Sequence, residues 1–244
     1  MRHHIDLSLL SGFLNRLVPH HCPICDSQIM NDGLCGACWS QLCFIQAPIC
    51  TCCGRPLPSA TSPKQQCGKC LNAPNAIRQM RSILRYDDAA KGLILPFKHA
   101  ARLELTGLIA HMMLAQFTAL VDDETLIMPI PLHFTRRAYR RYNQSAELAR
   151  ELCTLDARRH QLDMTSLYRR KATRPLARHN KTKRQAILRR AFALRDNAAP
   201  LIKDRPILFI DDVMTTGQTT FHAAKTLIKY GSGPVSCLTF ARVL

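Results

Sequence analysis

The chain has 244 residues, 34 Lys and Arg against 17 Asp and Glu, a formal charge of +17, and 47% hydrophobic residues. That apolar share excludes wholesale disorder, and the length permits one large domain or a medium domain with a small companion, about 100–150 residues being the commonest domain size. The charge makes a polyanionic or phosphorylated partner the first expectation, against the plainer reading of a solvated basic surface.

In chain order, Met1–Val18 carries Ile5, Leu9, Leu10, Phe13, Leu14, Leu17 and Val18 at helical spacing, interrupted by His3, His4, Asp6, Asn15 and Arg16. The pattern predicts an amphipathic helix packed on the body of the protein rather than a secretory leader. No run of about 18 apolar residues occurs, so no transmembrane segment is expected and a reducing cytoplasm follows as the compartment. Ten of the twelve cysteines then fall between Cys22 and Cys70, including the CxxC pairs Cys22/Cys25, Cys35/Cys38, Cys50/Cys53 and Cys67/Cys70. In a reducing compartment such pairs read as metal ligands, because each CxxC turn presents two thiolates to one ion and two turns complete a tetrahedral four-cysteine site. One zinc site is expected from Cys22, Cys25, Cys35 and Cys38, with nine residues between its pairs. A second is expected from Cys50, Cys53, Cys67 and Cys70, with thirteen between. Cys52 offers an alternative register at the second site, and Cys43 has no assignment. Four thiolates saturate zinc, so the role is structural, in a region too poor in large apolar residues to fold without metal. Cys153 and Cys237 read as small buried hydrophobes.

Residues 1–75 carry a net charge of +2 and residues 76–244 a net of +15. The shift predicts a metal-rich module over 1–75 and a larger basic domain over 76–244. The second domain alternates strand and helix patterns: strand Met80–Tyr86, helices Ala89–His99 and Glu104–Leu120, strand Thr125–Ile130, helix Gln144–Leu155, a further helix over Lys183–Ala193, strand Pro206–Asp211, helix Thr219–Tyr230 and strand Ser236–Ala241. Such alternation predicts an α/β fold, a mostly parallel sheet with helices on both faces, whose ligands bind beyond the carboxyl ends of the strands.

The stretch ILFIDDVMTTGQTT, Ile207–Thr220, carries the most chemistry. A buried strand delivers Asp211 and Asp212 to the sheet edge, and a loop over Met214–Thr219 leads into a helix. Gly217 permits a tight turn, free backbone N–H groups at the helix start cradle a phosphate, and the threonine hydroxyls add donors. Adjacent carboxylates beside such a cradle suit the hydroxyls of a phosphorylated sugar or a magnesium ion bridging it. The run from His133 to Arg195 adds 18 Lys and Arg against four Asp and Glu, and Arg136 and Arg137 lie where a phosphate-binding loop would follow a strand. Arginine is suited to bidentate phosphate contact. Tyr139 and Tyr142 lie among these arginines and offer rings for base stacking.

The acidic pair and its loop resemble the 5-phosphoribosyl-1-diphosphate (PRPP) signature of type I phosphoribosyltransferases. That resemblance gives Asp211 and Asp212 the ribose hydroxyls and the catalytic role. It gives the loop of Val213, Met214, Thr215, Thr216, Gly217, Gln218 and Thr219 the 5′-phosphate. Nearly all of residues 20–244 is similar to the ComF/GntX family of competence-associated proteins, which join an N-terminal double zinc ribbon to a phosphoribosyltransferase-like domain. The shared motifs are the four CxxC pairs, Pro131-Leu132-His133 with Arg136-Arg137, Asn143-Gln144, Thr173 with Pro175, Arg184, Ala191-Phe192, and Asp211 to Thr219. The departures are Arg141 for a glycine, Leu176 for a glutamine and Ile187 for an asparagine. They bear on retained catalysis more than on PRPP or phosphate binding. The resemblance implies two structural Zn2+ ions, Mg2+ arriving with PRPP, and handling of incoming single-stranded DNA during natural transformation, alongside other DNA-uptake proteins. Arg140, Arg141, Tyr142, Lys183 and Arg184 are then the expected nucleic-acid contacts. An active phosphoribosyltransferase on an unidentified acceptor, and a non-catalytic PRPP sensor, are the alternatives.

Overall fold

The computed structural model describes residues 20–59, 62, 65–72, 76–99, 102–132, 142–170 and 191–244. The expected N-terminal helix, Arg136, Arg137, Arg140, Arg141, Lys183 and Arg184 lie outside them. The chain divides into two compact units, Met1–Leu42 and Cys43–Leu244. This division falls earlier than the compositional boundary near residue 75, and the reason lies in the second cysteine cluster.

In the first unit, β1 (His20–His21) pairs antiparallel with β2 (Gln28–Ile29). The turn between them is a cysteine knuckle, closed by Cys22 N–H to Ser27 O at 2.8 Å and Asp26 N–H to Cys22 O at 2.8 Å. A single-turn helix, α1 (Gly36–Ser40), follows Cys35, whose sulfur accepts from the Cys38 N–H as N-cap. The second unit repeats this grammar: a knuckle at Cys50–Gly54 with Cys50 N–H to Arg55 O at 2.8 Å, then a short helix, α2 (Gly68–Leu71), after Cys67.

The second knuckle is bonded to the sheet. Met80 N–H donates to Cys52 O at 2.7 Å, Ile45 N–H to Ile83 O at 2.8 Å, and Arg85 N–H to Cys43 O at 2.9 Å. All three partners on the sheet side belong to β3 (Gln79–Arg85), the edge strand. An unpaired edge exposes a row of backbone donors and acceptors. Here residues 43–52 cover it, so the metal-binding segment from Cys43 onward is part of the larger body.

The larger body continues with α3 (Asp88–His99), α4 (Leu105–Leu120), β4 (Leu126–Pro129), α5 (Gln144–Leu155), β5 (Gln161–Leu162), β6 (Leu167–Arg169), β7 (Phe192–Leu194), α6 (Ala199–Ile202), β8 (Ile207–Met214), α7 (Gln218–Lys229) and β9 (Val235–Arg242). Five strands form one sheet in the order β3-β9-β8-β4-β5, every neighbouring pair parallel. The expected α/β architecture is therefore present. The period-2 alternation of a strand divides its side chains between two faces. Ile207 and Phe209 of β8 join Ala223, Ala224 and Leu227 of α7 in one core, with Phe192 and Leu194 beside them. The alternate residues Leu208 and Ile210, fully buried, face the other side, against which α4 and α5 pack.

Two sequence expectations need correction. The Lys183–Ala193 helix does not extend to its end, because Phe192–Leu194 is β7, antiparallel to β6 and buried in the α7-side core. Burial of three successive apolar residues in a hairpin outweighs the weak helical periodicity there. The strand bearing the acidic pair also runs further than expected. It extends through Met214, because Asp211, Val213 and Met214 pair with Thr239, Ala241 and Arg242 of β9. The loop is thus only residues 215–217.

The fit of the knuckle to the sheet leaves no room at Gly54. Its φ is +67°, and a Cβ there would lie 2.3 Å from Met80 O. Gly54→Ala is expected to destabilise the protein by about 2–4 kcal/mol, from left-handed strain and the backbone clash together. Urea unfolding followed by circular dichroism measures this, with Gly36→Ala, which meets open space, as a control that shifts the midpoint little.

Candidate functional site

The sheet topology fixes where a ligand can bind. From β4 the chain moves outward to β5, whereas from β8 it passes through α7 to β9 on the opposite side. The adjacent strands β4 and β8 therefore flank a topological switch point, where a crevice opens beyond their carboxyl ends. Pairing between them stops at Pro129 and Ile210. β8 outruns β4 by four residues, and the first two of these are Asp211 and Asp212, left uncovered on the β4 side.

Two helices close on that pair. Lys98 near the end of α3 places Nζ 2.9 Å from Asp212 Oδ1, with both side chains largely buried. Ser145 in the first turn of α5 donates its hydroxyl to Asp211 Oδ1 at 2.9 Å, and the Asp212 N–H donates to the same oxygen at 2.9 Å. Burial pushes the Asp211 carboxyl up to about 7, and the Asp212 charge adds to the rise, while Lys98 and the Ser145 hydrogen bond oppose it. Asp211 thus stands near balance between acid and anion at neutral pH.

The Tyr142–Ser145 segment locks this arrangement. Tyr142 OH donates to Phe97 O at 2.5 Å, Gln144 Nε2 to Lys98 O at 3.1 Å, and Asn143 caps α5 by accepting from Ser145 N–H. Tyr142, expected to touch nucleic acid, here spends its hydroxyl on the α3 backbone. Asn143 and Gln144 were legible as a motif, but Lys98 and Ser145 were not. Lys98 is one of two lysines in its helix, and only the tertiary fold carries it to a carboxylate 114 positions away.

The expected phosphate cradle is a helix start with no side-chain cap. Gly217, at φ +72°, is the N-cap of α7. That left-handed conformation favours glycine. The first intrahelical bond there is Phe221 N–H to Gly217 O at 2.9 Å. The N–H groups of Gln218, Thr219 and Thr220 precede it and have no helical acceptor. Thr215 and Thr216 are exposed at the loop, Val213 is half-buried, and Met214 is buried beneath it. Amides and the positive helix end converge here, as an anion requires.

The expected zinc ligands form two clusters. Within each of Cys22, Cys25, Cys35, Cys38 and Cys50, Cys53, Cys67, Cys70, all four sulfurs lie within 4.8 Å of one another. The Cys25–Cys35 and Cys53–Cys67 separations are 3.6 and 3.7 Å. Zinc–thiolate bonds of about 2.3 Å at tetrahedral angles put sulfurs about 3.8 Å apart, so both sets fit structural zinc. The cluster fixes the second register, since Cys52 is turned toward Ile77 O at 3.9 Å. Backbone donors prepare the thiolates. The Cys38 N–H holds the Cys35 thiol at about 6, and at Cys50, where burial acts upward, N–H groups of Cys67, Cys53 and Cys52 still bring it to about 6. Arg81 of β3 donates to Thr51 O, Arg242 of β9 donates through Nη1 to Cys53 O, and both guanidinium charges act on the second cluster's cysteines. A zinc ion held by four thiolates carries a formal −2, and the sheet supplies the compensating cations.

These features define a parallel α/β protein carrying zinc ribbons. A double zinc ribbon domain model matches residues 13–71. Competence protein ComFC of Bacillus subtilis is 28% identical over 95% of this chain and 97% of its own. The DNA utilization protein YhgH of Escherichia coli K12 is 27% identical over 93% and 99%, and competence protein F of Haemophilus influenzae 28% over 88% and 92%. Over most of its length the chain is similar to these proteins of the ComF family. No helix among the described residues is long and apolar enough to cross a membrane.

Two outcomes follow from this geometry. Metal analysis of the purified chain is expected to give two zinc ions per chain, and one in either Cys35→Ser or Cys50→Ser, so one ion or none in the wild type contradicts the double site. Asp211 also makes stability fall as pH rises from about 4 to 7, because the folded state holds a proton the unfolded state releases. Asp211→Asn keeps both hydrogen bonds and removes this term. Its stability relative to wild type is expected to be near equal at pH 4 and higher by an order of 1–3 kcal/mol at pH 8, read from urea midpoints.

Proposed function

We propose that the chain is a PRPP-binding, phosphoribosyltransferase-like protein that handles incoming single-stranded DNA in the cytoplasm during natural transformation. The observation that carries the PRPP reading is the acidic pair at the switch point, followed within five residues by an uncapped helix start on a left-handed glycine. Asp211 and Asp212 face the ribose hydroxyls, the amides of 217–219 with Thr215 and Thr216 hold the 5′-phosphate, and Arg136 and Arg137 meet the diphosphate. Magnesium, entering with PRPP, neutralises the diphosphate charge. Lys98 is the counter-ion that Asp212 exchanges when the sugar binds, and Ser145 holds Asp211 in place. The names of the relatives, competence protein and DNA utilization protein, support the DNA reading, as does the net +14 over residues 133–195. Arg140, Arg141, Lys183 and Arg184 contribute to a salt-sensitive phosphate-backbone surface, and Tyr142, its hydroxyl engaged by Phe97 O, contributes its ring. Other DNA-uptake proteins are its expected neighbours.

A second reading, transfer of the phosphoribosyl group to an acceptor, is favoured by one observation: a cavity of about 610 Å3 adjoins the Thr215–Gln218 loop. A PRPP sensor without turnover would use the same loop.

Separate calorimetric titrations with magnesium–PRPP and with single-stranded DNA test the proposal. The Asp211→Asn/Asp212→Asn variant is expected to lose PRPP binding with its circular dichroism unchanged, and unaltered affinity would sink the assignment. DNA affinity is expected to fall at least tenfold between about 50 and 200 mM salt. Alanine at Arg140, Arg141, Lys183 and Arg184 is expected to weaken DNA and leave PRPP alone.

A further inference from the structure

Within residues 43–244, the cavity beside the loop carries cationic and thioether groups to which neither phosphoribosyl reading gives a role. One wall is the Thr215–Gln218 loop with Phe221, and the facing wall is the second cysteine cluster with Arg55 and Lys69. Its floor is Met80 of β3, Met214 of β8 and Arg242 of β9. Its volume, about 610 Å3, lies within the range of small-molecule sites. Ile77, Met80 and Met214 are buried, so thioether and aliphatic surface is offered to a flat ring, with Phe221 at the side.

The charged side chains around it are of one sign, with the terminal carboxylate of Leu244 beside them. Three cations, Arg55, Lys69 and Arg242, line the cavity, and among the described residues lining it there is no Asp or Glu side chain. Arg242 is only 5% exposed. Its Nη1 is engaged by Cys53 O, but its buried Nε has no hydrogen-bond partner among the described residues. A buried donor left unpaired is costly, most of all on a charged group. Arg81 and Arg242 together balance a zinc-bound tetrathiolate centre, so the exposed Arg55 and Lys69, set against the Leu244 carboxylate, leave a net positive rim.

We propose that this cavity binds a planar aromatic acid, its ring on the methionine and Phe221 surface and its carboxylate toward Arg242, Arg55 and Lys69. The second zinc ribbon thereby forms a wall of a ligand site as well as a folded scaffold. Binding of the acid requires neither PRPP nor the acidic pair, so the two readings fail separately.

The test uses the zinc-loaded full chain with 1-naphthoate as probe and 1-naphthamide as its neutral isostere, by saturation-transfer NMR and calorimetry. Naphthoate is expected to bind about tenfold more tightly than naphthamide, one charge-assisted contact being of that size. Arg242→Met is expected to abolish the preference. Lys69→Met, at an exposed position, is expected to weaken naphthoate severalfold and leave naphthamide and the zinc content unchanged. The Asp211→Asn/Asp212→Asn variant is expected to bind naphthoate as wild type does. Equal affinity for the acid and the amide, no binding of naphthoate, or a Lys69→Met variant indistinguishable from wild type would each overturn the proposal.

Discussion

The described structure turns on the length of one strand. β8 is paired on both sides up to Ile210, and beyond that point only β9 accompanies it. Had β4 continued, Asp211 and Asp212 would face a paired neighbour and no crevice would open between them and α5. Instead two carboxylates stand at the end of an apolar strand, partly stripped of water, and the nearby helices supply what water would have. Lys98 provides a countercharge and Ser145 a hydroxyl. This compensation leaves Asp211 with a raised proton affinity, while Asp212 keeps an ion-pair partner. One pair of adjacent, chemically identical side chains is thereby given two electrostatic settings.

The same logic governs the second cysteine cluster. A zinc ion bound by four thiolates brings two net negative charges to the margin of a sheet, and burial of charge without a partner is expensive. Arg81 and Arg242 answer from adjacent parallel strands, and the backbone of the knuckle caps the β3 edge. Metal binding, edge protection and charge balance are therefore one structural solution. This explains why contacts assign residues from Cys43 onward to the larger body although composition changes only near residue 75. Composition records which residues need a metal in order to fold. Contacts record what those residues are bonded to.

Much of this was legible in the sequence. Local spacing sets ligand geometry, so the four CxxC pairs name both cysteine sets unaided. The apolar run from Ile207 announces a buried strand, and the acidic pair with its glycine announces the loop. The helix over Gln144–Leu155 is where its periodicity places it. Where expectation and structure part, the cause is non-local. Phe192–Leu194 is a strand because β6, over twenty residues earlier, pairs with it. β8 runs on to Met214 because β9 offers partners through Arg242.

By itself, then, the sequence determined the ligand chemistry of this protein: thiolates at metal spacing, two carboxylates at a strand end, a glycine where φ must be positive, and an excess of arginine. These are properties of neighbours along the chain, and covalent spacing carries them. Only the tertiary structure decided which other groups meet them. Lys98 reaches Asp212, Ser145 reaches Asp211, and Arg81 and Arg242 reach the second cluster, while a cavity opens between that cluster and the Thr215–Gln218 loop. Those pairings depend on strand order and strand length, which arise from burial summed over the whole sheet and leave no mark at the residues concerned.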